Sequence, residues 1–208
     1  MPLKLNSFSG GSVTLDPAST ASDFTHTLPA VSGTVVTTGS SAVVTPAMLS
    51  QPLTRMIAQN TTSGTFVDFT GIPNWVRRIT VMINGFSTNG SDRAIIQLGT
   101  SSGVTTSGYT SYSGYIEAAG QNATQHTNGL AWWHAGSNDV GILNMEILNI
   151  NGNVWVASHS GGFTNGAQLF SIMGGGSVTL AGTLDRLRVT TTGGSNTLDA
   201  GTVNVMYG

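Results

Sequence analysis

The sequence predicts an all-β protein, a jelly-roll-like β-sandwich head behind an extended N-terminal arm and one short helix. Three observations predict it. Charged residues make up 8% of the 208-residue chain, against about 25% in an ordinary soluble domain. Gly, Ser, Thr and Asn are abundant, so the surface is wetted by hydroxyls and amides, which does not suit a helical bundle. The β-branched runs are short and are punctuated throughout by turn formers.

Residues 1–44 read as an arm of short extended pieces, 3–6, 12–15, 24–28 and 34–37, separated by Gly10-Gly11, Asp16-Pro17, Pro29 and Ser32-Gly33. Its apolar side chains are too few to bury a core alone, so ordering it requires another chain. Residues 45–60 hold the one helix candidate, with Thr45 as N-cap and Pro46 at the first helical position. Leu49, Leu53 and Met56 follow the four-then-three spacing of a coiled-coil seam, with Ile57 beside it. Two arrangements satisfy that spacing: a helix packed on its own head, or a short bundle of identical helices through which the chain trimerises. Pro52 interrupts the hydrogen-bond ladder of a helix begun at Pro46.

Residues 61–208 form the predicted head. Its central strand is 76–83, rich in β-branched residues, with Pro73 fixing the turn before it and Asn84-Gly85 read as the turn after it. Further strands are expected at 65–69, 94–98, 130–134, 141–150, 154–158, 167–173, 177–180, 184–191 and 202–207. Short strands at this spacing point to a sandwich. The last of them should be tied into a sheet, so its truncation should be harmful.

Function is bounded mostly by exclusion. The net charge of −2 and scattered basic residues leave no footprint for a phosphate backbone, so nucleic acid is not an expected partner. No apolar run reaches the roughly 20 residues that span a bilayer, and no basic-then-apolar leader opens the chain. Neither membrane insertion nor secretion is therefore expected. Cysteine is absent, and the four histidines lack metal-ligand spacing, so no cofactor or metal is expected. Catalysis has little support: Glu117 and Glu146 sit in no motif that fixes a carboxylate pair, and Ser158-His159-Ser160 lacks the Gly-x-Ser-x-Gly elbow. The chain is expected not to be an enzyme.

Binding has one candidate segment, 100–136, where Tyr109, Tyr112 and Tyr115 in a Gly/Ser-rich stretch precede Trp132-Trp133-His134. Aromatic faces stack on sugar rings and neighbouring amides read hydroxyls, which makes Tyr112, Tyr115, Trp132 and Trp133 the receptor or glycan candidates. Strand alternation should send one of the two indoles inward and one outward. The same aromatics equally suit a core or a subunit interface. Arg77 and Arg78 should face opposite ways and pair with Asp185 or Asp199.

Several pieces carry a family resemblance: Ile72-Pro73-Asn74-Trp75-Val76-Arg77-Arg78-Ile79-Thr80-Val81-Met82, then Gln97-Leu98-Gly99 with Ser107-Gly108-Tyr109, then Leu184-Asp185-Arg186-Leu187-Arg188-Val189-Thr190 and Leu198-Asp199-Ala200-Gly201-Thr202-Val203-Asn204-Val205. Over about residues 65–208 the chain resembles the C-terminal domain of bacteriophage tail-fibre and related virion appendage proteins. Val13-Thr14-Leu15-Asp16-Pro17 and the run from Leu28 to Val36 resemble linkers of phage structural proteins. The resemblance implies a homotrimeric virion protein, a short tail fibre, whose residues 1–44 dock on other virion proteins and whose head binds a host surface glycan or protein. A capsid head fibre or decoration protein with a mainly structural role is the alternative.

Overall fold

The computed structural model describes residues 3–6, 8–15, 51–134 and 136–208. Backbone contacts divide the chain into two units, Met1–Val43 and Val44–Gly208. In the first unit, β1 (Leu3–Asn6) and β2 (Ser12–Leu15) form an antiparallel hairpin whose turn uses Gly10 at φ 87°.

The second unit contains β3 (Thr54–Arg55), β4 (Gln59–Asn60), β5 (Val67–Thr70), β6 (Arg78–Thr88), β7 (Ala94–Thr100), β8 (Gly103–Val104) and β9 (Thr110–Glu117). After these come β10 (Gly120–His126), β11 (Leu130–Trp132), β12 (Asp139–Asn151), β13 (Val154–Asn165), β14 (Gln168–Thr179), β15 (Arg186–Thr191) and β16 (Leu198–Tyr207). The large sheet runs β10-β9-β14-β13-β12-β6-β16-β3, with β4 also on β16, and the small sheet runs β11-β7-β15-β5, with β8 on β7. All pairings are antiparallel.

Successive strands cross between the sheets as a jelly roll requires. If the β12–β13–β14 meander is counted as one broad strand, the sheets read β5-β15-β7-β11 and β6-β12/14-β9-β10, the order of two Greek keys. β16 and the short β3 and β4 then extend the large sheet beyond β6. The jelly-roll-like sandwich expected from the sequence is therefore present.

Between the sheets lies one core. Along β12 the inward positions Leu143, Met145 and Ile147 are buried while Ile142, Asn144 and Leu148 face out, the period-two pattern of a sheet covered on one side. Ile79, Val81 and Ile83 of β6, Val203 and Val205 of β16, and Ile96, Leu98, Leu187 and Val189 of the small sheet fill the same layer. Each such side chain removed from water stabilises the fold by about 1.5–3 kcal/mol. The backbones of Gln97-Leu98-Gly99 and Ser107-Gly108-Tyr109 are tied together by the Tyr109 hydroxyl, which accepts from Leu98 N at 2.7 Å and donates to Leu98 O at 3.3 Å.

The structure changes four expectations. Residues 51–60 are not helical: they run extended as β3 and β4 against β16, so no coiled-coil seam forms there. Leu53 and Ile57 are 65% and 87% exposed, while Met56 packs on the head core; Leu49 and the rest of 45–50 lie outside the described residues. Pairing with a distant strand outweighs the local helical pattern, and it begins the head ahead of residue 61. Asn84-Gly85 does not end the central strand. It sits in mid-β6, where Gly85 (φ 68°) faces Gly201 (φ 105°) across a bulge in the β6–β16 ladder.

Both tryptophans of the 132–133 pair are buried, at 1% and 6% exposure, because β11 ends at Trp132 and the alternation ends with it. Finally, Arg78 pairs with Glu146, Arg77 donates to the carbonyls of Asn74 and Val76, and Asp185 pairs with Arg186. Among the described residues no helix is long and apolar enough to cross a membrane.

Two predictions follow from buried groups. A Cβ at Gly201 lies 2.7 Å from the Gly85 carbonyl carbon and oxygen, at a φ that side chains resist, so Gly201→Ala should lower the unfolding free energy by about 2 kcal/mol in urea titration. His159 faces the core with neither ring nitrogen hydrogen-bonded, and burial holds its pKa down to about 4 from the ordinary 6.5. The unfolded chain therefore takes up the proton first. Stability should fall as pH drops from 6.5 toward 4, by about 3 kcal/mol from this group. His134 is shifted down by burial as well and adds to the same slope. In His159→Gln the difference in melting temperature between neutral and acid pH should shrink.

Candidate functional site

Two tight hairpins build a place where two of the predicted aromatics meet polar groups. β13 and β14 are joined at Asn165-Gly166, with Gly166 at φ 58°, and their register sets Phe163 opposite Phe170. The two rings stack at 4.3 Å with 3° between their planes. β9 and β10 turn between Glu117 and Gly120, which brings Tyr115 beside β14 on the inner side of the sheet. Tyr115 packs edge-on against Phe170 at 5.2 Å and against Trp133 at 4.5 Å.

This aromatic floor opens at one end of the sandwich in a pocket of about 220 Å³, close to the size of one sugar ring with its water. Glu117, Asp139, Asn165 and Gln168 stand around it. Asp139 accepts from Gly136 N at 3.0 Å through one oxygen and from Asn165 Nδ2 at 2.8 Å through the other, which pins the loop after Trp133 to the β13–β14 turn. Beyond the floor, the Arg93 guanidinium lies 3.6 Å from the Trp133 ring centre, a cation–π contact. Burial lowers the Arg93 pKa and the Asp139 charge opposes that shift. His134 donates Nε2–H to the Asp139 carbonyl at 3.3 Å, and burial lowers its pKa against the opposing charge of Asp139.

The four predicted aromatics thus part company. Tyr115 and Trp133 share the end pocket. Trp132 is in the core, edge-on to Phe86 at 5.3 Å, and meets no ligand. Tyr112 projects from the opposite, outer face of β9, 53% exposed, beside an open groove of about 570 Å³ shared with Ile116, Met173, Gln121 and Asn122. Sequence reasoning missed Phe163, Phe170, Asn165, Gln168, Asp139 and Arg93. The Asn165-Gly166 hairpin signal was available to find the first four.

Glu117 and Asp139 put two carboxylates in one pocket, although both oxygens of Asp139 are held by backbone and amide donors. Glu146 is remote from them, on the outer face with Arg78. Among the described residues no group of His, Asp or Glu is arranged to hold a metal ion. Comparison with known proteins finds no matching family model, no matching curated protein and no matching solved structure.

Asp139→Ala should remove the link between the two loops and take away the carboxylate charge that offsets the burial of Arg93. The expected loss is about 2–4 kcal/mol of stability, with a red shift in tryptophan fluorescence as Trp133 becomes wetter.

Proposed function

We propose that the chain is a non-enzymatic, homotrimeric phage virion appendage of the short tail-fibre kind. Residues 1–44 dock on other virion proteins, and the head binds a glycan of the host surface through the Tyr115–Trp133 pocket. The observation that carries this reading is the polarity of the head. The chain joins the large sheet at Thr54–Arg55, level with Met206 and Tyr207 and hence with Ile79 and Ile147, whereas the pocket opens beside Asp139 and Asn165 at the other end of the same strands. Eight residues along β12, from Asp139 to Ile147, separate the two levels, about 27 Å at the usual strand rise. An attachment protein needs this arrangement, with its tether at one end and its recognition site at the other.

The chemistry of the pocket supports a sugar. Aromatic rings offer C–H-binding faces, and Asn165, Gln168 and Glu117 offer the directional donors and acceptors that read hydroxyls. A second reading draws on Glu117 and Asp139 sharing the pocket, which is what a glycan hydrolase would need. The engaged oxygens of Asp139 weigh against it.

The test is binding of the full chain to a glycan array, with products analysed by mass spectrometry. Glu117→Gln and Gln168→Ala alter the rim without touching the core, and each should weaken binding about 5- to 50-fold with unchanged melting. Unchanged binding in both variants would overturn the pocket assignment. Shortened glycans would replace it with the hydrolase, and absence of glycan binding together with particles destabilised by loss of the protein would favour a decoration role.

A further inference from the structure

The outer face of the large sheet is broad, and its outward side chains are largely exposed among the described residues. The register aligns its outward positions in rows that cross the sheet. One row is Ile142, Gly162, Ser171, Ile116; the next is Met82, Asn144, Ser160, Met173, Gly114; a third is Glu146, Ser158, Gly175, Tyr112. Glycine and serine fill the middle of each row, so the centre is level, while Ile142, Leu169, Met173, Ile116 and Tyr112 stand around it half exposed or more.

Charge is sparse on this face. Across the exposed positions of β3, β6, β9, β10, β12, β13, β14 and β16 the charged side chains include Arg55, Arg78, Glu146 and Asp199, two of each sign, and Arg78 pairs with Glu146. Seven strands at about 4.8 Å spacing and eight residues at about 3.4 Å rise give roughly 800 Å², the area one partner contributes to a standard stable interface.

We infer that this face packs against further copies of the same chain, with the outer sheets of neighbouring subunits turned toward a common axis. The inference rests on the oligomer proposed above and names the surface that makes it. Symmetry supplies the reason for choosing a second copy. Identical residues approach one another at a rotation axis, so a face bearing net charge repels itself, whereas one whose charges cancel internally does not. A partner selected by charge would find no patch of one sign to read here. The seam expected from Leu53, Met56 and Ile57 is not formed as a helix, so self-association needs another apolar surface, and this one has the required area.

The experiment is light scattering on the full chain over a range of concentrations, for the natural sequence and for Ile142→Lys and Leu169→Glu. Both positions are exposed in the single chain, so folding, checked by circular dichroism and melting, should be retained. The natural chain should run as an oligomer and the variants at the 21.4 kDa monomer mass at micromolar concentration. Independently, Ser160→Cys should cross-link between chains under oxidation, and Thr106→Cys, an exposed position beside the small sheet, should not; the natural chain has no cysteine. A natural chain that is monomeric throughout would overturn both the oligomer and this surface. An oligomer that survives both charged variants, or that cross-links through Thr106→Cys and not Ser160→Cys, would overturn the surface alone.

Discussion

The pairing of β6 with β12 on one side and with β16 on the other is the constraint on which the head depends. Strands distant in sequence are fixed against one another in this way, and the register decides which side chains enter the core. A slip of one residue along β6 would exchange Ile79, Val81 and Ile83 for Arg78, Thr80 and Met82 on the buried side. The register is set partly by the bulge at Gly85 and Gly201, where two glycines with positive φ let the backbones approach closely. The same ladder ties down the chain on its way into the head, because β3 and β4 have only β16 to pair with.

Unequal sheets follow from that pairing. The β12–β13–β14 meander widens the large sheet well beyond what the small sheet covers. At the sandwich end the overhang is filled by rings: Phe163 stacks on Phe170, Tyr115 meets their edge, and Trp133 closes the row with Arg93 over it. A cavity lined in this way has an apolar floor and a rim made of hairpin turns. Hairpin ends present side-chain amides and carboxylates without interrupting a ladder, which is why Glu117, Asn165 and Gln168 stand at the mouth.

Much of the fold was legible because one-sided burial writes itself into alternation. Leu143, Met145 and Ile147 against Asn144 and Glu146 read as a strand without any structure. Legibility failed where the deciding contact was remote. Leu53, Met56 and Ile57 have helical spacing, but their conformation is set by a strand some 150 residues away, and no local window contains it. Asn84-Gly85 carries the same letters as a hairpin turn, and only the opposing Gly201 makes it a bulge. Of the candidate site, Tyr115 and Trp133 could be picked out by type, whereas their partners Phe163 and Phe170 come together only through the β13–β14 register. Tyr112 and Tyr115, three residues apart, fall on opposite faces, a distinction that required knowing the segment is one strand.

The scarcity of charge connects the two surfaces. Six of the head's thirteen charges form three pairs: Arg188 forks onto Asp68 with two contacts of 2.7 Å, Arg78 holds Glu146, and Arg186 holds Asp185. Solvent therefore meets hydroxyls, amides and exposed aliphatic groups, and little long-range field remains to steer a ligand inward. Recognition by such a surface is short-ranged, built from stacking and a few hydrogen bonds, and on the proposed reading a shallow pocket of about 220 Å³ would hold one sugar weakly. Weak single sites become firm attachment when several act on one surface, since the second contact forms at the high effective concentration set by the first. On the proposed reading, a sparsely charged face that gathers copies and a pocket too shallow to hold a cell alone are two parts of one solution to adhesion.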